Sequence, residues 1–227
     1  MFIQKKIPLY QPSLSTSEKK NVVNCINENW ISSKGKFVKK FENNFKNKFN
    51  YRYSTVTTNG TTALHLAVMS LDLNKGDEVI VPNLTYVAPC NAVTYSGAKI
   101  VLVDVNPDTW LMDKETILRH ITKKTKAILL VHLYGFTYDL DEINYLKKKF
   151  NIKIIEDCAE AIGTKFKKSY VGKIGDISTF SFYGNKTITT GEGGMVITKN
   201  KKLFDKIVKL KSQGLDIKKK IIITTMK

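Results

Sequence analysis

The chain has 227 residues, 42% of them hydrophobic and 25% charged, the balance of an ordinary globular protein with a substantial core. Its 37 Lys and Arg against 20 Asp and Glu give a net charge of +17, but the lysines lie in short scattered runs and are not gathered with aromatics on one helix. That pattern argues against a nucleic-acid-binding module, and no apolar run is long enough to span a bilayer.

Lys, Asn and Ile are all abundant, and a genome rich in A and T accounts for the basic balance better than a binding surface does. The opening residues, MFIQKKIPLY, lack the apolar stretch of a signal peptide, which places the protein in the cytoplasm. Cys25, Cys90 and Cys158 form no CxxC pair or even framework, and His65, His120 and His132 have no metal-ligand spacing. No disulfide scaffold or metal site is expected.

Residues 1–50 form a first segment. Ser15 or Ser17 can cap a helix whose Val22, Val23 and Ile26 recur at helical spacing. The loop WISSKGKFV bends at Gly35 and carries Trp30, which reads equally as a core anchor or as the wall of a substrate cleft. A second helix, from about Phe37 to Phe49, places Phe41 and Phe45 on one face.

From residue 51 the pattern alternates between strand and helix. Strands are expected at Ser54–Thr57, Glu78–Pro82, Ile100–Val103, Ala127–Val131, Lys153–Glu156, Ile177–Ser181 and Met195–Thr198. Helices are expected at Thr61–Leu71, Pro89–Ser96, Lys114–His120 and Leu140–Phe150, with a last one beginning near Lys201. Repeated βαβ units imply a three-layer α/β/α fold around a mostly parallel seven-stranded sheet. Ligands of such sheets sit at the carboxyl ends of the strands.

Several polar groups fall at that edge. Asn59-Gly60-Thr61-Thr62 opens a helix, where free N–H groups and the helix dipole favour a phosphate, although Thr61 could simply be a cap. Tyr86 in VPNLTYVAP could stack on a planar ring or pack under its loop. Asp157 and Glu160 follow an apolar strand. A buried acid there needs a cationic partner, such as a protonated pyridine nitrogen, unless it caps a helix. Glu156 competes with Asp157 for that role, and the strand register decides between them.

Ser181 ends the sixth strand, five residues before Lys186, which stands in the turn of FSFYGNKTITTGEGGM. Desolvation there favours the neutral amine, which can form a Schiff base with an aldehyde. His132 and Tyr134 in VHLYG are cleft-lining candidates, His132 toward substrate. A phosphate cradle, a ring stacker, a carboxylate and a lysine on one sheet edge are what a pyridoxal 5′-phosphate site requires.

The segments NGTTALHLA, GDEVIVPNLTYVAP, VHLYG, IIEDCAEAIGT and VGKIGDISTFSFYGNKTITTGEGGM resemble the fold-type I sugar aminotransferases of the DegT group. The resemblance runs from about Ile7 to Gly214, across the expected large domain at 51–214. It implies an aspartate-aminotransferase-like large domain with the small C-terminal domain missing. It further implies that Lys186 bonds the cofactor and shuttles protons, Asp157 holds its ring nitrogen protonated, Gly60, Thr61 and Ser181 hold its phosphate, Tyr86 covers a ring face and Glu160 sits by the ring hydroxyl. The implied reaction moves an amine from L-glutamate to the C4 ketone of a nucleotide-linked 4-keto-6-deoxy sugar, in a homodimer. Lys186 itself argues against the dehydratases of the group, which carry His there.

The resemblance stops at residues 215–227, LDIKKKIIITTMK, where the group continues into a Tyr-rich stretch and a smaller domain. This tail is expected to be aberrant. The A-rich codons of KKK suggest a frameshift or truncation.

Overall fold

A computed structural model describes residues 7, 8 and 10–215. The aberrant tail expected at 215–227 lies almost wholly outside the described residues.

Helix α1 (Thr16–Asn27) starts at Ser15, whose side chain accepts from Ser17 N–H while Glu18 reaches back to the cap, a capping box. Its Val22, Val23 and Ile26 follow helical spacing, but none of its residues is buried. Helix α2 (Lys36–Phe49) does bury its apolar stripe. Phe45 meets Phe180 and Phe182 edge-on at 5.1 and 5.6 Å, the geometry that aromatic quadrupoles favour.

The remaining elements alternate. They are β1 (Tyr53–Thr57), α3 (Gly60–Met69), β2 (Glu78–Pro82), α4 (Val87–Tyr95), β3 (Lys99–Val103), α5 (Lys114–His120), β4 (Thr125–Val131), α6 (Leu140–Phe150), β5 (Lys153–Asp157), β6 (Lys165–Phe166), β7 (Ser169–Tyr170), β8 (Ile177–Ser181), β9 (Gly194–Thr198) and α7 (Lys201–Lys211). The seven-stranded sheet has the order β1-β9-β8-β5-β4-β2-β3, and β6 and β7 form a separate small hairpin. Only β9 runs against its neighbours β1 and β8. The expected mostly parallel sheet is the one observed.

Residue parity along each strand assigns the two faces. Val79, Val81, Ala127, Leu129, Val131, Ile155, Ile177 and Val196 pack with α3, α4 and α7. Ile80, Ile128, Leu130 and Ile154 pack with α5 and α6. On that second face, nearer β8 and β9, Phe180, Phe182, Met195 and Ile197 pack under α2. Three layers result, and the central strands are apolar on both faces, as burial between two helix layers requires.

Candidate active site

The carboxyl ends of β2, β4, β5 and β8 and the start of α3 converge on one edge. Helix α3 begins with a capping box in which Asn59 Oδ1 accepts Thr62 N–H at 2.8 Å and Thr62 Oγ1 accepts Asn59 N–H at 3.2 Å. Ala63 N–H is taken by the Asn59 carbonyl. The N–H groups of Gly60 and Thr61 are the ones left to face outward at the positive end of the helix dipole.

Helix α3 lies directly on β8 at this point. A methyl group on Gly60 would come within 2.8 Å of Ser181 Cβ and 3.1 Å of its Oγ. The structure therefore brings Gly60, Thr61 and Ser181 together, with a hydroxyl beside two free N–H groups. One glycine of TTGEGGM serves the same junction. A methyl group on Gly194 would strike the Asn59 carbonyl, so β9 can pass the cap of α3 only without a side chain.

Lys186 stands on the loop between β8 and β9, and that loop is pinned at Phe182. Phe182 donates its N–H to the Gly193 carbonyl at 2.8 Å, and its own carbonyl accepts Thr190 N–H at 3.0 Å and Thr189 Oγ1–H at 3.1 Å. The lysine backbone N–H is bound to the Tyr183 carbonyl at 2.9 Å. Its side chain is 19% exposed, and Nζ lies 3.0 Å from Glu160 Oε1. The other oxygen, Glu160 Oε2, accepts the N–H of Tyr134 at 2.9 Å. Glu160 thus ties the lysine to the loop after β4, where Tyr134 sits in the left-handed region at φ 50°.

The register settles which acid faces the site. Asp157 shares its face with Val131, Ile155 and Ile177, the α3 side. Glu156 points to the opposite face, where its oxygens accept N–H from Gly172 (2.8 Å), Ile174 (3.0 Å) and Gly175 (2.6 Å), and His132 Nε2 lies 3.0 Å away. Burial alone would raise the Glu156 carboxyl, but His132 and these N–H groups outweigh it and hold it below the usual range. Asp157 has one N–H donor, Ala159, at 3.0 Å. Burial pushes its carboxyl up to about 6, against the pull of the Ala159 N–H and the charges of Lys186 and His132. An acid so placed is stabilised by a cation brought to it.

His132 is fully buried, with its ring paired to Glu156 and edge-on to Tyr138 at 5.6 Å. Trp30 leans on Gly35 in a shallow depression of ≈ 210 Å³ lined only by residues between Cys25 and Val38, and none of the cofactor candidates lines it. Tyr86 caps α4 at the end of β2 with its ring exposed, at the edge where the other candidates lie.

His132, Glu156 and Cys158 place their ligand atoms within 4.8 Å of one another. The Glu156 oxygens are taken up by N–H donors, whose positive ends point where a cation would sit. Glu156, His132 and the N–H groups of Gly172, Ile174 and Gly175 form a structural lock between β5 and the 172–175 turn. Sequence reasoning missed this lock and the Tyr134 N–H on Glu160. Parity within IIED could have flagged Glu156 as facing away from Asp157.

Residues 12–225 match the DegT/DnrJ/EryC1/StrS aminotransferase family. This chain belongs to that family. It is 54% identical over 213 residues to the GDP-perosamine synthase of Escherichia coli O157:H7, an alignment covering 94% of this chain and 58% of that one. Among solved structures it superposes on an aminotransferase from Psychrobacter cryohalolentis with a TM-score of 0.84 at 38% identity, covering 87% of this chain and 51% of that one. It superposes on a GDP-4-keto-6-deoxymannose-3-dehydratase holding a trapped PLP-glutamate geminal diamine with a TM-score of 0.88 at 28% identity, covering 92% and 55%. The chain therefore spans less than two thirds of the length of these family members.

Proposed function

We propose that this chain is the cofactor-binding domain of a pyridoxal 5′-phosphate-dependent aminotransferase acting on a nucleotide-linked 4-keto-6-deoxy sugar, with L-glutamate as amino donor. The observation that carries the reading is Lys186 Nζ at 3.0 Å from Glu160, on the same edge as buried Asp157 and the α3 start against Ser181. The fit with the cofactor is chemical. Two free N–H groups and a hydroxyl suit a phosphate, a buried acid that wants a cation suits a pyridinium, and a half-desolvated amine suits an aldehyde.

Bound pyridoxal phosphate supplies an aldehyde for the lysine and a protonated ring that accepts an electron pair. Gly60, Thr61 and Ser181 would hold the phosphate. Asp157 would keep the ring nitrogen protonated, and Tyr86 and Glu160 would hold the ring, Glu160 on the side of its hydroxyl. Lys186 moves a proton at its Nζ, and Glu160, already within hydrogen-bond distance, is placed to stabilise the charged amine between transfers.

The 54% identity to a GDP-perosamine synthase favours a GDP-linked 4-keto-6-deoxy sugar, and on this reading the chain works in the cytoplasm in making surface polysaccharide such as O-antigen. No helix among the described residues is long and apolar enough to cross a membrane. The working unit on this reading is a homodimer.

The test has two arms. Pyridoxal phosphate added to the purified chain is expected to give a visible absorbance band that Lys186→Ala abolishes. L-glutamate and GDP-4-keto-6-deoxymannose are then expected to give an amino sugar. A band that survives Lys186→Ala would refute the lysine assignment. Cofactor binding with no amino sugar from GDP-, UDP- or dTDP-linked keto sugars would make the chain a binding domain without turnover.

A further inference from the structure

Asp157 on β5 and Thr179 on β8 are register partners on neighbouring parallel strands. The pair two residues earlier, Ile155 and Ile177, lies wholly in the core on the α3 side, so Asp157 and Thr179 point to that same face. Thr179 is 1% exposed, and its Oγ1 has no hydrogen-bond partner among the described residues. The hydroxyls flanking it on β8 are both engaged: Ser178 donates to the Gly172 carbonyl at 3.0 Å, and Ser181 accepts Tyr183 N–H at 3.4 Å. A buried hydroxyl left without a partner is costly and calls for a reason.

Asp157 has the complementary shortage. Its Oδ1 accepts one N–H, from Ala159, while a carboxylate kept ionised in a buried place ordinarily collects two or three donors. The titratable groups near enough to act on the Asp157 charge are Lys186 from the β8–β9 loop, His132 from the end of β4 and Glu160 from the turn after β5, while Tyr138 in the far layer feels that charge in turn. Lys186 is engaged with Glu160 and His132 with Glu156. Neighbouring strands lie about 4.8 Å apart, so a change of rotamer brings the Thr179 hydroxyl onto the Asp157 carboxylate.

Resting on the functional reading above, we infer that Thr179 is a positioning residue for Asp157: its hydroxyl turns to donate to the carboxylate when that group is ionised against the ring nitrogen of the bound cofactor. It touches neither cofactor nor substrate. It holds the aspartate charged and aimed, and it supplies the donor that the protein otherwise lacks at this point.

The test titrates pyridoxal 5′-phosphate into wild type, Thr179→Val and Thr179→Ser, following absorbance at pH values on both sides of the Asp157 titration. Val keeps the shape and removes the hydroxyl, whereas Ser keeps the hydroxyl. Thr179→Val is expected to bind about tenfold more weakly, the worth of one hydrogen bond to a charged group. The pH at which its binding is half lost on acidification is expected to rise by about one unit, because an aspartate with one donor fewer is harder to ionise. Thr179→Ser is expected to stay within about twofold of wild type, the remaining hydroxyl making the same bond.

Thr179→Val with wild-type affinity and an unmoved pH midpoint overturns the inference, as does Thr179→Ser binding no better than Thr179→Val. If Thr179→Val does not fold, Thr179→Ala against Thr179→Ser makes the same comparison. Wild-type protein that takes up no cofactor overturns the functional reading together with this inference. Wild-type binding with an indifferent Thr179→Val overturns this inference alone.

Discussion

Glu156 and Asp157 are consecutive carboxylates that the fold treats in opposite ways. Glu156 is held below the usual range, so its contribution to stability is present above the unfolded value of 4.5 and is lost as pH falls through the lower folded value. Glu156→Gln keeps the volume but turns an amide N–H toward the Gly172, Ile174 and Gly175 donors. It is expected to cost about 3 kcal/mol in urea unfolding at neutral pH, and a loss below about 1 kcal/mol would mean the lock is not intact. Asp157 runs the other way. Its carboxyl is raised from 3.8 to about 6, so within that window the folded chain keeps a proton that the unfolded chain has shed. Its contribution falls as pH rises through the window and stays lost above it, a cost on the order of 3 kcal/mol. Asp157→Asn in the cofactor-free protein is therefore expected to gain stability relative to wild type between pH 3.8 and about 6 and to hold the gain at neutral pH. A difference that does not vary with pH would show that Asp157 carries no such burden, and with it would go the reason for a cation at this place.

At the scale of elements, the junction of α3, β8 and β9 is the part of the fold that the site cannot do without. Gly194→Ala would drive a methyl group into the Asn59 carbonyl, which belongs to the backbone and cannot swing aside. The expected loss is about 2–3 kcal/mol from overpacking, seen as a lower thermal midpoint, with weaker cofactor binding because the free N–H groups of Gly60 and Thr61 move with the cap. Unchanged stability and binding would mean that α3 is not seated on β9. Much of this architecture was legible in the sequence. Strands β2 and β8 and helices α5 and α6 fall at their expected bounds, and for the two helices the Asp113 and Asp139 caps mark the starts without help from the rest of the chain. The hairpin of β6 and β7 was not expected, since two-residue strands are too short to show a period of two. The pairing of His132 with Glu156 was not legible for a related reason. Which side of a sheet a residue occupies depends on register with a strand elsewhere in the chain, and VHLYG alone does not carry that register. That Gly60, Asp157, Ser181 and Lys186 share one edge was legible, because every parallel βαβ unit returns the chain to the same side.

The whole molecule sets a net charge of +17 against an apolar rim around the site. Leu84, Tyr86 and Val87 after β2, Trp110 after β3, Tyr134 and Phe136 after β4 and Tyr183 after β8 are all exposed, so the loops at the carboxyl edge carry aromatics where most of the surface carries lysine. Exposed apolar groups gathered on one edge favour covering by another surface, and on the homodimer reading that surface is a second copy. Two copies of so basic a chain repel one another before the rims meet. Repulsion between exposed charges reaches about 30 Å at 0.01 M salt and about 8 Å at 0.15 M, whereas burial of apolar rings does not weaken with salt over that range. If the rim drives assembly, sedimentation should show the dimer fraction rising between those two salt concentrations. Replacing Tyr134 and Phe136 with Ser should weaken the dimer at both without removing the salt trend, because the charge is untouched. Dissociation on adding salt would mean that ion pairs hold the copies together and would place the contact away from the aromatic edge.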